Sequence, residues 1–227
     1  MKIPFNKGLI VSCQALEGNP LRDAYVLARL AKAAEIGGAV AIRANGVEDI
    51  TEMKKLLKIP IIGINKQKDS TGRTVITPTF ESAKEVYKAG ADIIALDMTF
   101  QKSDIREDPK KTVEQIHKKL NIPVMADIST VDEAIEASLA GVDLISTTLA
   151  GYLPGKEYAP NEKYIPNFEL IENILNEKRI TVPCIGEGRF WTPEALKKGL
   201  NMGLYGVVIG KAITNAMAIT QYFTCDL

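Results

Sequence analysis

Neither sign of charge is in excess: 28 Lys and Arg stand against 28 Asp and Glu in 227 residues. No basic surplus is available to hold a nucleic acid or an anionic membrane, so any anion must be bound by a few placed groups. Cysteine is scarce. Cys13, Cys184 and Cys225 are odd in number and far apart. That argues against a disulfide framework or a zinc site and suits reduced thiols in a cytoplasmic protein. The one histidine, His117, lies beside Lys118 and Lys119 in a helical stretch. It reads as a solvated helix residue, which removes a Ser-His-Asp triad and a histidine-based metal site. Long hydrophobic runs are missing as well. Residues 1–7 lack an apolar core of signal-peptide length, and no later run is long enough to span a bilayer.

What is present suits one α/β domain over residues 1–227: 46% of residues are hydrophobic and 25% charged, enough for a sizeable core. The apolar runs at 8–14, 38–43, 59–66, 93–97, 124–127, 144–147, 182–186 and 206–209 read as buried parallel strands. Between them, 22–35, 47–57, 80–88, 109–120, 131–139, 168–176 and 193–198 carry helical spacing, and a last helix ends near Phe223. The polar stretch 67–77, with Gly72, reads as a loop. Residues 151–167 form a long segment in which Tyr152 and Tyr158 could belong to a lid. Trp191 and Met202 read as packing residues.

An internal repeat organises these elements. Ile59-Pro60-Ile-Ile-Gly63, Ile122-Pro123-Val-Met-Ala126 and Val182-Pro183-Cys-Ile-Gly186 each follow a helix and open a strand. Gly38-Ala39, Gly90-Ala91, Gly141-Val142 and Gly203-Leu204 place a glycine where a helix ends. Eight βα units of roughly 30 residues predict a TIM (β/α)8 barrel. The rival, a doubly wound open sheet, needs fewer units and lacks its G-x-G-x-x-G after the first strand.

In a barrel the ligand site lies at the C-terminal strand ends. Those ends carry Gln14, Arg43, Lys66, Asp97, Asp127, Thr147, Glu187 with Arg189, and Gly210-Lys211. Asp127 and Glu187 are fourth after their prolines; Lys66 and Arg189 are sixth. Alternation puts fourth and sixth positions on one face, so the four converge on one mouth. A desolvated lysine near a cation such as Arg43 has a lowered pKa and can accept a proton. Reaching about 7–8 from about 10.4 needs roughly 4 kcal/mol. Glu187 opposes that shift while ionised, so the two titrate together. In Gly186-Glu187-Gly188-Arg189 the glycines would let a ligand approach the backbone closely, and Arg189 suits a bidentate oxyanion contact. Gly188-Arg189 and Gly210-Lys211 follow strands seven and eight, where barrels bind phosphate. Bland readings stand beside these: a surface lysine, a structural Glu–Arg pair, and aspartates Asp97 and Asp127 that only hold loops.

The set Leu9-Ile-Val-Ser-Cys-Gln14, Gly38-Ala-Val-Ala-Ile-Arg43, Pro60-Ile-Ile-Gly-Ile-Asn-Lys66, Met125-Ala-Asp127, Ser146-Thr-Thr-Leu-Ala-Gly-Tyr152 and Gly186-Glu187-Gly-Arg189 resembles the N-acetylmannosamine-6-phosphate 2-epimerases along nearly the whole chain. The resemblance implies a TIM barrel, usually a homodimer, that acts in sialic-acid breakdown. It would interconvert N-acetylmannosamine 6-phosphate and N-acetylglucosamine 6-phosphate with no metal or organic cofactor. The family's catalytic lysine and glutamate fall on Lys66 and Glu187. Its substrate contacts fall on Gln14, Arg43, Asp127 and Arg189. The family's last motif usually ends in arginine; here it runs Gly210-Lys-Ala-Ile-Thr-Asn215, which leaves Lys211 as the nearby cation. Asn65 stands where an apolar residue is usual. Two other readings remain: a Schiff-base lyase or aldolase using the same lysine, and a non-catalytic phosphosugar-binding barrel.

Overall fold

A computed structural model describes residues 1–152 and 164–225. Its elements are β1 (Gly8–Ser12), α1 (Ala24–Ile36), β2 (Ala41–Asn45), α2 (Val47–Leu56), β3 (Ile61–Ile64), β4 (Lys66–Lys68), β5 (Thr74–Ile76), α3 (Phe80–Ala89), β6 (Ile93–Asp97), α4 (Pro109–Leu120), β7 (Val124–Asp127), α5 (Val131–Leu139), β8 (Leu144–Ser146), α6 (Phe168–Asn176), β9 (Cys184–Glu187), α7 (Pro193–Met202), β10 (Gly206–Ile209), α8 (Lys211–Thr214) and α9 (Ala216–Thr224). Eight parallel strands close in the order β1-β10-β9-β8-β7-β6-β3-β2. The predicted TIM barrel is therefore present. Among the described residues no helix is long and apolar enough to cross a membrane.

The repeat has a direct mechanical meaning. Pro60, Pro123 and Pro183 give no N–H, but their carbonyls accept from Ile42, Ile94 and Ile145 on the neighbouring strands at 3.0–3.1 Å. A strand's first position is where proline does least harm to the ladder. At the helix ends, Gly90 and Gly203 have φ of 115° and 119°, the left-handed conformation that reverses the chain into the next strand. Helix starts are capped: Thr79 and Ser82, and Thr130 and Glu133, form reciprocal capping boxes, each worth about 1 kcal/mol.

Alternation along the strands makes two cores. Ile10, Ala41, Ile62, Ile93, Met125, Leu144, Ile185 and Val208 fill the barrel. The opposite parity, such as Val11, Ile42, Ile61, Ile94, Val124, Ile145 and Val207, packs under the helices. Gly63 belongs to that outer layer. A Cβ there would lie 2.5 Å from Ala91 Cβ and 3.1 Å from Ile50 Cδ1. Gly63→Ala is expected to lower stability by about 1–3 kcal/mol through overpacking, read as a lower melting temperature with an unchanged far-ultraviolet spectrum.

Three sequence readings are corrected. The run 59–66 is not one strand. β3 ends at Ile64, and Lys66 opens β4, which pairs antiparallel with β5. The stretch 67–77 is thus mostly a β-ribbon, not a loop, and its Ile76 joins the barrel interior. The ribbon root is held by Thr77. Its N–H donates to the Asn65 carbonyl at 2.8 Å, and its Oγ1 accepts from Asn65 N at 3.0 Å and donates to the Ala95 carbonyl at 2.7 Å. Thr77 holds φ 49°, a strained conformation for a β-branched residue. Second, α7 runs on to Met202. Gly199 inside it is there for packing, since a Cβ would meet Leu204 Cδ1 at 3.0 Å. Third, His117 is not simply solvated: its Nε2 lies 2.8 Å from Asp143 Oδ2, which also accepts from Val124 N. It pins α4 to the barrel. Trp191 packs on Tyr164 and Tyr222, as a packing residue should. Tyr158 lies outside the described residues.

Candidate active site

Above the apolar filling, the inward positions turn polar over seven of the eight barrel strands; over β10 the position after Val208 is Gly210. Continuing the alternation, Ser12 and Gln14 follow Ile10; Arg43 follows Ala41; Lys66 follows Ile64. Asp97 follows Ala95, Asp127 follows Met125, Ser146 and Thr148 follow Leu144, and Glu187 follows Ile185. The mouth is therefore the next layer of the same packing pattern.

At its centre is Arg43, 1% exposed. Its Nη2 donates to Asp127 Oδ2 at 2.5 Å and its Nη1 to Asp127 Oδ1 at 3.0 Å, a bidentate pair. Nη1 also donates to Glu187 Oε2 at 2.8 Å and to Thr148 Oγ1 at 3.1 Å. Burial would lower the guanidinium pKa, but the charges of Asp127 and Glu187 outweigh it and hold it above its usual value. Arg43 Nε is a buried side-chain donor without an acceptor among the described residues.

Lys66 points into this mouth. Its Nζ donates to Gln14 Oε1 at 2.7 Å, and Gln14 Nε2 donates to Ser12 Oγ at 2.7 Å. Its backbone N–H is held by Asn45 Oδ1 at 2.9 Å. Burial pushes the amine below the ordinary lysine range. Arg43 and Lys211 push the same way, while Glu187 and Asp127 pull back. Burial raises the Glu187 carboxyl above its ordinary value, with Asp127 adding to the rise; Arg43, Thr148 and Lys66 oppose it. Desolvation thus moves the Lys66 amine and the Glu187 carboxyl toward each other.

Gly188 (φ 103°) and Arg189 (φ 63°) both take left-handed backbone at the tip of β9. Gly210, at the tip of adjoining β10, packs so closely that a Cβ would sit 3.3 Å from Ser12 Cβ. Lys211 is exposed and opens α8. Gly186, however, does not face a ligand. A Cβ there would strike Leu204 Cδ1 at 2.6 Å, under the helices. It is a packing glycine, unlike Gly188.

Asp97 is closed to a ligand. Arg73 Nη1 and Arg106 Nη1 reach its two oxygens at 3.1 and 2.8 Å, and Thr99 donates to it twice. This clamp ties the β4–β5 ribbon to β6. Thr147 is also structural, bonding the Glu187 backbone through both its hydroxyl contacts. The inward residue is its neighbour Thr148, which the strand-end reading passed over. Counting by twos from Leu144 would have found it. Among the described residues no group of three or more His, Cys, Asp or Glu could hold a metal ion.

Comparison with known proteins agrees with this geometry. Residues 27–227 match the family described as "Putative N-acetylmannosamine-6-phosphate epimerase". A relative of that description from Caldanaerobacter subterraneus subsp. tengcongensis is 51% identical over 95% of this chain and 89% of its own length. One from Clostridioides difficile is 45% identical over 95% of this chain and 93% of its own. The solved N-acetylmannosamine-6-phosphate 2-epimerase of Clostridium perfringens superposes with a TM-score of 0.89 at 45% identity, over 96% of this chain and 93% of that one. A thiamine phosphate pyrophosphorylase from Pyrococcus furiosus, with a TM-score of 0.61 at 16% identity, shares the fold alone. This chain belongs to the N-acetylmannosamine-6-phosphate epimerase family.

Proposed function

We propose that the chain interconverts N-acetylmannosamine 6-phosphate and N-acetylglucosamine 6-phosphate by exchanging the proton at C2. Ring opening exposes an aldehyde, which acidifies the C2 hydrogen. The neutral Lys66 amine removes it and becomes an ammonium; an enolate forms; after rotation of the open chain the ammonium, exchanged with solvent, returns a proton to the other face of C2 and is again a neutral amine. Glu187 in its acid form gives a proton to a sugar oxygen as charge develops there and recovers it later. Gln14 orients the amine, Arg43 and Asp127 frame the reacting carbons, and Arg189 contacts an oxyanion. Gly188, Gly210 and Lys211 hold the phosphate, whose remote binding energy helps position C2. The observation that carries this reading is Lys66 itself, an amine turned into the mouth with the neutral amide of Gln14 as its hydrogen-bond acceptor.

Turnover in D2O is expected to place deuterium at C2 of the product, read by proton NMR. Product holding only protium, with none exchanged into recovered substrate, would count decisively against proton abstraction. Borohydride added during turnover should leave no sugar on Lys66, which separates this chemistry from a Schiff-base reaction.

The same reading places the protein in the cytoplasm, in sialic-acid breakdown, as a homodimer. Support for a dimer comes from α9, which buries none of its residues and leaves Met217 and Phe223 exposed at 48% and 73%.

A further inference from the structure

Lys66 has a second amide neighbour besides Gln14. Its backbone N–H donates to Asn45 Oδ1 at 2.9 Å. Asn45 ends β2, after Arg43 and Ala44, and pairs with Ile64, whose side chain fills the barrel. Both relations put the Asn45 side chain on the inward face, one layer above Arg43. The contact also settles which way its amide lies. A backbone N–H can only donate, so the atom that meets it is the carbonyl oxygen. The Nδ2 group, with its two N–H bonds, is then turned away from the Lys66 backbone. Among the described residues Nδ2 has no acceptor, and Asn45 is half-buried. Gln14 differs: its Oε1 takes the Lys66 amine and its Nε2 donates to Ser12 Oγ. Asn45 is therefore the neutral amide beside Lys66 that has donors left for a ligand.

We propose that Asn45 is a substrate-binding residue whose Nδ2 donates to the carbonyl oxygen of the 2-acetamido group, and that this contact sets the preference for an N-acylated sugar. The assignment rests on the epimerase reading. Lys66 must reach the hydrogen on C2, so the substituents of C1 and C2 lie beside Lys66 and hence beside Asn45. Glu187, from β9, serves the sugar oxygen on which charge develops. The acetamido carbonyl stays neutral, and a neutral amide donor matches it without adding charge next to the Lys66 amine. Arg43 is a poorer match, because its Nη1 and Nη2 are already held by Asp127, Glu187 and Thr148. A donor that the bound sugar shields from water discriminates against a sugar lacking the carbonyl, since it is then left unpaired. No bond is made or broken at Asn45. It holds the acetamido group so that C2 presents its hydrogen to the amine.

The test compares two probes by calorimetry: N-acetylglucosamine 6-phosphate, and glucose 6-phosphate, which has a hydroxyl in place of the acetamido group. Epimerisation during the titration leaves the acetamido group in place, so the readout survives turnover. The wild type should bind the acetylated sugar at least about fivefold more tightly, the scale of one hydrogen bond. Asn45→Asp keeps an oxygen for the Lys66 N–H and removes the Nδ2 donor. It should erase that preference by weakening the acetylated sugar selectively. The ratio of the two affinities cancels any effect of the new charge on the shared phosphate. If the aspartate variant does not fold, Asn45→Ala replaces it. A ratio that holds or grows, with both sugars weakened alike or neither affected, overturns the proposal and leaves Asn45 as a tie for the Lys66 backbone. So does a wild type without the preference. A wild type that shows the preference but turns over neither epimer would instead remove the epimerase reading and leave the contact standing.

Discussion

Lys66→Ala is expected to lower interconversion by roughly 10²- to 10⁴-fold, the range of a lost general base, with an unchanged far-ultraviolet spectrum. The reason is local. Among the described residues Lys66 makes no ion pair within hydrogen-bond reach, so there its removal leaves Gln14 Oε1 without its donor, in a part-exposed mouth. In the wild type, kcat/KM should fall as the pH drops through the Lys66 pKa, and that midpoint should lie below the ordinary lysine value of about 10.4. The same burial has a stability consequence. Because the folded state lowers this pKa, it binds the proton less well than the unfolded chain. Below the folded pKa the wild type therefore carries a penalty that vanishes above the unfolded one. Lys66→Met should thus be inactive yet more stable by about 1 kcal/mol at neutral pH, and its advantage should disappear in strong alkali. An inactive variant with no gain in melting temperature would mean that water solvates the amine fully.

Arg43→Leu should be the most damaging substitution for stability. Arg43 neutralises Asp127, at 0% side-chain exposure, and Glu187, at 17%. Removing one partner from such a buried network typically costs about 3–5 kcal/mol, or roughly 6–20 °C in melting temperature for a chain of this size. The loss should depend on pH. Without the cation, Asp127 and Glu187 face each other in a dry site, and protons must be taken up to relieve the repulsion. Their folded pKa values then lie above the unfolded ones, so the variant should be least unstable near pH 5 and worse as pH rises. A pH-independent loss would show that shape, not charge, governs Arg43.

The barrel was legible because its repeat is written in residues with rigid consequences. Proline opens alternate strands and glycine closes helices, and both kinds of residue do in three dimensions what they suggest in one. The mouth was legible for a related reason: counting by twos from an apolar residue fixes which side chains point inward. The same count separates Thr147, whose hydroxyl serves the Glu187 backbone, from Thr148, one residue and one face away, which points into the mouth. It also puts Gly186 at the same place after its proline as Gly63, packed outward under the helices and not beside a ligand. The ribbon was missed because its second arm is only Thr74–Ile76 and its anchors, Asp97, Arg106 and Thr77, are scattered in sequence. Ion pairs between distant residues leave no period to detect. His117 shows the same limit, since its partner Asp143 lies 26 positions away.

The ribbon gives the fold an adjustable part. Arg43, Asp97, Asp127 and Glu187 are set by the cylinder, each lying within one of its strands. Lys66 instead hangs from a short two-armed bracket bolted at Thr77 and Asp97, outside the closed ladder. Lengthening or retwisting that bracket would raise, lower or swing the amine over the sugar without reopening a single rung of the cylinder. A designer seeking a different reacting carbon on the same phosphosugar would begin by rebuilding residues 67–75 and leave the eight staves alone.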